Sequence, residues 1–400
     1  MKLISVVIPT RNRPDCLLCA VRIALRQLPE AEIIVSDNSD SDALRHKLAD
    51  EIASGRVRYA YSSEHLSVVD NFERTLQMAT GSYIAFIGDD DSVGPGLWQI
   101  AEWAQRESVE AVVSYTDAFV ASYFWPGVRS KYFGLGYSAK LFVTAFDGAA
   151  KPIDGRQALS HVASRFGGGL GSLPRAYHGL VSRQLLDRIR ARHGHVFGGV
   201  SPDIFSATLI TAECRKAYVV NYPFLIPGAS ATSTAGQGAE RSDRAGLRDT
   251  DHISRFGAGL RWDARIPEFY SPHTVWAYSL QKALDELPES AVTPSYARLY
   301  ARCLLFSRAY RAPTLEAIRH WAVGKGKLQA WLSIAISAGQ ELLELAARVG
   351  KRVLHPRPGG GATAYGDLPT MEAAYEALER HIASRHIALQ LPSTGLERRP

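Results

Sequence analysis

Apolar runs alternate with amphipathic stretches through the first third of the chain. Residues 3–8 are an apolar run, broken only by Ser5 and closed by Pro9, the mark of a strand buried in a parallel sheet. Pro14 suits the first turn of a helix running to about residue 28. A strand at 32–35, a helix over 42–53, a strand at 57–61 and a helix over 68–79 follow. Next come a strand at 83–87, a helix over 97–107 and a strand at 111–115. Strands and helices alternating at this pace predict a parallel α/β sheet.

From about residue 117 to 226 the pattern loosens, with aromatic clusters at 123–126 and 131–134. Helices are expected over 182–192 and after Ser201, and a strand over 217–222. The glycine-rich stretch 167–171 follows no clear strand and reads as a flexible loop. Small residues dominate 228–238, which reads as a mobile linker or as a lid over a site. Beyond about Tyr270 the chain is largely helical. Residues 328–354 make one long amphipathic helix, with Leu332, Ile336, Leu343 and Ala346 on one stripe and Lys325, Lys327, Lys351 and Arg352 at its ends. Met371, Tyr375, Leu378 and Ile382 share one face of a last helix, after a linker at 355–361. The expected organisation is a catalytic domain over 1–227 (halves 1–115 and 116–227), a mobile loop or linker over 228–270, and a helical region over 271–400.

Composition adds little beyond a globular class. With 400 residues, 46% hydrophobic and 22% charged, the chain has ample material for a core. A net charge of +6 suits an anionic substrate or an anionic membrane surface. No dense Lys/Arg run with interleaved aromatics is present, which argues against nucleic acid. Cys16 and Cys19 have CxxC spacing, but no second pair completes a zinc site, so they read as small buried residues of a helix. Four cysteines fit a reducing compartment. The apolar run before Pro9 is too short for a signal peptide, and no run approaches the roughly 20 residues of a membrane span. The expected location is cytoplasmic, with peripheral contact at the inner face of the plasma membrane through the C-terminal helices.

The first strand-to-helix loop holds neither GxGxxG nor GxxxxGK[ST], so a dinucleotide fingerprint and a P-loop are both absent. Instead, polar and acidic residues close successive strands: Thr10 to Arg13, then Asp37, then Asp89, Asp90 and Asp91. In an open α/β sheet these strand ends are where ligands bind. Three adjacent carboxylates repel one another and need solvent or a cation, and no basic partner lies nearby in sequence. A carboxylate after the second strand can hold a base or ribose edge. Acids after the fourth can hold a hard divalent cation that bridges phosphates. The constellation suits group transfer from a nucleotide-activated donor.

The stretches at 4–13 (Ile-Ser-Val-Val-Ile-Pro-Thr-Arg-Asn-Arg), 32–39 (Glu-Ile-Ile-Val-Ser-Asp-Asn-Ser), 71–74 (Asn-Phe-Glu-Arg) and 81–91 (Gly-Ser-Tyr-Ile-Ala-Phe-Ile-Gly-Asp-Asp-Asp) come in a telling order and spacing. The chain resembles the family 2 glycosyltransferases of the GT-A fold, specifically over 1–115, more weakly to about 227, and not beyond. The resemblance implies an inverting, hexosyltransferase-type enzyme using a nucleoside-diphosphate sugar, a UDP-sugar above all, with Mn²⁺ or Mg²⁺. Its acceptor would be a glycan or lipid-linked hydroxyl, in bacterial surface-polysaccharide synthesis. By that match Pro9, Thr10, Arg11 and Asp37 contact the nucleoside, and Asn71, Asp89 and Asp90 belong to the donor site. Asp90 lies near the ribose or the metal, and Asp91 is the metal ligand. Many members carry Asp-x-Asp-Asp here, where this chain has Gly88 first, which leaves Asp89 and Asp90 both open as the second functional acid.

In the family an acid well downstream activates the acceptor hydroxyl, and Ser201-Pro202-Asp203 stands in its place. Those three residues also suit a helix start without any catalytic role. Asp203 is therefore the candidate base, with His195 in reserve; His161, His178 and His193 read as structural. Trp125 and Tyr177 suit either the core or stacking on a sugar. Two other readings stand beside this one. Asp89-Asp-Asp-Ser-Val93 matches the DxDx[TV] pattern of haloacid-dehalogenase-like phosphatases, with Asp89 as nucleophile, although those proteins place it on their first strand. The domain would otherwise be a non-catalytic nucleotide-sugar-binding protein.

Overall fold

The computed structural model describes residues 2–114, 119–233, 246–288 and 292–393. Strands β1 (Ile4–Thr10), β2 (Glu32–Asp37), β3 (Val57–Tyr61) and β4 (Tyr83–Phe86) are mutually parallel. A two-residue strand, β5 (Ser92–Val93), follows, and then β6 (Ala111–Val113). The middle of the chain adds β7 (Ala121–Phe124), β8 (Lys140–Val143), β9 (Ala150–Pro152), β10 (Gly179–Ser182), β11 (Ala217–Val220), β12 (Leu225–Ile226) and β13 (Gly228–Ala229). Strand β14 (Thr363–Tyr365) comes late in the chain. The main sheet has the order β3-β2-β1-β4-β10-β6-β11-β9, with β10 and β9 antiparallel to their neighbours. The expected α/β class with a helical C-terminal region is what the chain adopts; the sheet is mixed rather than purely parallel.

Every residue of β1 is buried, and its two faces feed two cores. Ile4, Val6 and Ile8 join one cluster with Leu17 and Ala20 of the helix Pro14–Gln27, while Val7 joins the other with Ile34, Ile84 and Phe86. That two-sided burial is why the run, but for Ser5, reads as apolar rather than alternating. The strand passes through Pro9 instead of stopping there. Val7 accepts from Ile87 on the β4 side, so Pro9, two residues on, faces the same side just past the end of β4. Its missing N–H therefore leaves no ladder bond unmade.

The chain leaves β1 for β2 and β3 on one side and returns to β4 on the other. This reversal opens the crevice between the carboxyl ends of β1 and β4, the usual ligand position in such sheets. Most expected elements fall within a few residues of the observed ones. The helix expected over 42–53 is two short ones, Ala43–Lys47 and Ala49–Ala53, broken at Leu48, whose side chain is buried. Tyr115, the expected end of β6, and residues 234–238 of the small-residue segment lie outside the described residues.

The C-terminal part returns to both faces of the sheet. Helices Pro272–Asp285 and Tyr296–Phe306 bury Val275, Leu280, Leu299 and Tyr300 against the cluster that holds Val7 and Phe86. On the opposite face β14 pairs with β8, and β7 pairs with both β8 and β13. The last helix, Met371–Ser384, buries Met371, Tyr375 and Leu378 beside Val6 and Leu17, on the stripe read from the sequence. Tyr123 donates to the carbonyl of Leu368 at 2.7 Å, and Trp103 to that of Pro392 at 2.7 Å. Leu378→Ala should accordingly cost the α/β core about 3 kcal/mol, the scale for a fully buried leucine. Urea denaturation measures it, and an unchanged midpoint would detach this helix from the core.

Candidate active site

Strand β4 runs into the turn Gly88–Asp91, closed by the Asp91 amide donating to the Gly88 carbonyl at 3.2 Å. The three carboxylates that follow from it are almost dry: Asp89 is 0%, Asp90 4% and Asp91 1% exposed. Buried charge must be matched from nearby; three segments distant in sequence supply the match, and a fourth holds the backbone beside it.

The first is the loop after β1. Arg13 reaches Asp89 Oδ1 at 3.0 Å and Asp90 Oδ1 at 3.2 Å, and the Thr10 hydroxyl donates to Asp89 Oδ2 at 2.7 Å. The second lies just before β10, where His178 Nε2 is 2.6 Å and the Tyr177 hydroxyl 3.1 Å from Asp91 Oδ2. The third is the start of the small-residue segment. Gly228 donates its amide to Asp91 Oδ1 at 2.7 Å, and Ser230 donates to Asp90 Oδ2 at 2.9 Å. The fourth is Trp125, whose indole donates to the Asp90 carbonyl at 2.9 Å. Part of the segment read as a linker or lid thus rests on the acids themselves.

Two glycines make this packing possible. A Cβ on Gly88 would stand 2.8 Å from the Tyr177 hydroxyl and 2.9 Å from Asp91 Oδ2. The Gly88 amide also donates to that oxygen at 2.6 Å, an approach so close that a side chain has no room. A Cβ on Gly228 would lie 1.7 Å from the Asp90 carbonyl oxygen.

The three acids differ electrostatically because their partners differ. Burial pushes Asp89 up to about 7; Arg13 opposes the shift and Asp90 adds to it. Burial and the adjacent Asp91 raise Asp90 as well. Burial works against the charge of Asp91 too, but His178 and the amides of Gly228 and Gly88 outweigh it and hold this carboxyl below its usual range. Asp91 is the fixed anion of the set, and the Tyr177 phenol beside it is raised by burial and by that charge.

On the β2 side the expected nucleoside contacts are used within the fold. Asp37 accepts from the Tyr59 hydroxyl at 2.6 Å and from the Ser39 amide at 2.8 Å. The Asn71 carboxamide oxygen accepts from Ser36 at 2.7 Å. Thr10 is likewise committed to Asp89, whereas Arg11 lies 3.6 Å from Asp40 at the cleft edge. The open space is beside them. A cavity of about 230 Å³ is lined by Asn38, Ser39, Tyr61, Glu64, His65 and Arg255. A neighbouring one of about 340 Å³ is lined by Arg11, His65, Ser254 and Arg255. Arg255 spans the rim, donating to Asn38 Oδ1 at 3.1 Å and to the Leu66 carbonyl at 3.0 Å.

Asp203 sits in the first turn of the helix Pro202–Glu213, where its Oδ1 accepts from the Ile204 amide at 2.8 Å. The loop leading to it leans on the end of β4, with Phe197 5.1 Å from Phe86 and 5.3 Å from Phe72, centroid to centroid. His252 Nε2 lies 2.7 Å from the Val200 carbonyl, so the segment that carries Arg255 also holds the approach to Asp203. His195 pairs with Glu286 at 3.0 Å, near the end of the helix Pro272–Asp285.

Sequence reasoning missed Arg13, His178, Gly228, Ser230 and Arg255 as members of the site. No basic residue lies near the acids in sequence; the sheet brings one from afar, Arg13 of the loop after β1. Only its place in the strand-end loop hinted at it, and nothing in the sequence singles out His178 or Arg255. Among the described residues no three His, Cys, Asp or Glu side chains form a ready-made metal cage. The carboxylates of Asp90 and Asp91 are nevertheless the oxygen donors that a hard cation takes, and they stand at one strand end.

Residues 5–150 match the family model described as Glycosyl transferase family 2. That span covers β1 through β8 and the three acids, and it accords with the GT-A-type α/β class expected from the sequence. No curated protein matches the chain. Among solved structures, S. aureus TarS 1–349 in complex with UDP-GlcNAc aligns at 12% identity, covering 82% of this chain and 92% of that one, with a TM-score of 0.45. For the longer S. aureus TarS the identity is 12% and the TM-score 0.43, over 78% of this chain but only 54% of that one. The mannosyltransferase PcManGT from Pyrobaculum calidifontis, in complex with GDP-Man and Mn²⁺, aligns at 15% identity over 85% of this chain and 80% of that one, with a TM-score of 0.42.

Arg13→Ala tests the charge balance. It should destabilise the fold by about 3 kcal/mol at pH 8, the scale for an uncompensated buried charge. The folded-state value of Asp89 is raised, so the folded protein takes up a proton there and stability falls as pH rises toward 7. The loss on removing Arg13 should therefore be smaller at pH 5, where Asp89 is already neutral. Denaturation at both values checks it; equal losses would show that Arg13 does not neutralise the acids.

Proposed function

We propose that the chain is a family 2 glycosyltransferase that moves a sugar, with inversion, from a nucleoside-diphosphate donor to a hydroxyl acceptor in bacterial surface-polysaccharide synthesis. The observation that carries the reading is the acid cluster at the β1/β4 switch point, inside the segment that matches the family model. The adjoining cavities support it: Arg255 lines both, with Asn38 and Ser39 in one and Arg11 in the other. Guanidinium groups recognise phosphate oxygens, and the β2 end offers polar edges for a nucleoside. A UDP-sugar is the favoured donor, and a glycan or lipid-linked alcohol the favoured acceptor.

Asp90 and Asp91, with His178, are the residues that would hold Mn²⁺ or Mg²⁺. When bound, such an ion supplies charge neutralisation for the diphosphate leaving group. Holding it requires Asp91 to exchange hydrogen bonds now made by His178 and Tyr177. Asp203 is the base in this reading, supported by its place beside the loop that leans on the end of β4. It takes the proton of the acceptor hydroxyl as that oxygen bonds to the anomeric carbon. The bond from that carbon to the diphosphate oxygen breaks in the same step, and the electron pair leaves with the nucleoside diphosphate. One displacement inverts the configuration.

The phosphatase alternative fares less well. Asp89 would have to attack phosphorus, yet it is fully buried with Oδ2 held by Thr10 and Oδ1 facing Arg13. Capture of a phosphoryl group on Asp89 would nonetheless reinstate it. A thermal-shift screen of nucleotide sugars, with and without Mn²⁺, tests donor class directly. Stabilisation without any transfer to an acceptor would favour the non-catalytic binding protein.

Two variants test the roles. Asp91→Ala and Asp90→Ala should each abolish transfer and the metal-dependent binding of nucleoside diphosphate, read by calorimetry on folded protein. Transfer that proceeds undiminished in EDTA would remove the metal from the mechanism. Asp203→Asn should keep donor binding but lower turnover about 100-fold or more, the scale of a lost general base. Normal turnover in that variant would move attention to His195.

A further inference from the structure

The long helix Lys327–Leu354 docks by a narrow mixed face and not by its broad apolar stripe. Its buried residues are Ala330, Ile334, Ser337 and Glu341. Glu341 is 1% exposed and lies between Arg302 Nη2, at 2.6 Å, and Arg298 of the helix Tyr296–Phe306. Glu344 beside it pairs with Arg298 and, at 2.8 Å, with Arg165. These are the only two acids in the helix, and both are consumed on the inner side.

The outer side is the reverse. At about 100° per residue, Leu328, Leu332, Ile336, Leu343, Val349 and Val353 fall within an arc of about 140° centred opposite the docked face. Every other position in that arc is apolar or glycine, Trp331 and Leu342 among them. The large ones are exposed, Leu328 by 85%, Leu343 by 73% and Val353 by 72%. Lys325 and Lys327 stand at one end and Lys351 at the other. The helix is therefore held outward with an uninterrupted apolar stripe, about 42 Å long, between cationic ends.

We propose that this stripe is a membrane-surface anchor that lies in the interfacial layer of an anionic bilayer. An exposed apolar strip with basic ends and no free acid is the pattern that seats a helix among acidic headgroups, its lysines reaching up from the apolar layer. A second copy of the chain fits the charges poorly. Laid antiparallel, it would set Lys325 and Lys327 against Lys351; laid parallel, it would set each lysine against its own twin. Like charges meet either way, which disfavours that pairing. The inference concerns where the protein works and stands apart from the transfer chemistry.

Flotation of the full chain with lipid vesicles tests it. The protein should float with phosphatidylcholine vesicles containing phosphatidylserine at low salt, and less with phosphatidylcholine alone. The double variant Leu332→Glu, Ile336→Glu alters only exposed positions, so its thermal melt should match the parent while flotation falls by at least about tenfold. A parent that stays at the bottom with acidic vesicles would overturn the proposal. So would a double variant that floats like the parent. A parent dimer in gel filtration that the double variant converts to monomer would assign the stripe to a second copy instead.

Discussion

Three carboxylates in consecutive positions have been taken almost entirely out of water, and much of the chain's path follows from keeping them there. Moving an ion into a protein interior costs several kcal/mol even after relaxation, while a hydrogen bond to a charged group returns about 1.5–3 kcal/mol. Asp91 has four such bonds, from Gly88, Tyr177, His178 and Gly228, and there the bonds win. Asp89 has one hydroxyl, the Arg11 amide and a guanidinium shared with Asp90, and there burial wins, which pushes it up to about 7. The three partner groups come from β1, from the approach to β10 and from β13, so one charge requirement ties together segments far apart in sequence. Gly228–Ala229 pairing with Tyr123–Phe124 holds the last of these in register over the acids.

The strands and the acids were legible in the sequence because both are local properties. A buried parallel strand must be apolar throughout, and an acid run after it cannot be hidden by periodicity. The partners were not legible, because pairing is a property of topology. Arg13 meets Asp89 only because the strand order reverses between β1 and β4, and His178 arrives just ahead of a strand inserted antiparallel beside β4. The same gap explains Asp37, Asn71 and Thr10. Asp37 and Thr10 close their strands and Asn71 lies in the helix Val68–Met78, but position alone does not reveal that Tyr59, Asp89 and Ser36 already engage them. The cavity beside them is lined instead by neighbours such as Ser39 and by Arg255, from the segment that the sequence pattern read as a loop or linker.

The C-terminal region shows the opposite asymmetry. Periodicity announced the long helix and its stripe, yet periodicity cannot say which face docks. The default is apolar face inward, and the last helix obeys it with Met371, Tyr375 and Leu378. The helix Lys327–Leu354 does not, and the reason lies with its partner. Helix Tyr296–Phe306 presents Arg298 and Arg302, both nearly buried, toward it. Turning the apolar stripe inward would leave two guanidinium groups without acids in a dry interface, a penalty of several kcal/mol each. It would also bring Glu341 and Glu344 out into solvent, away from the cations that now hold them. A buried ion network contributes little net stability compared with apolar packing, but it discriminates strongly between rotations of the helix. Here that discrimination decides the orientation, and it is the specificity of charge pairing rather than the hydrophobic effect that keeps the apolar stripe facing out.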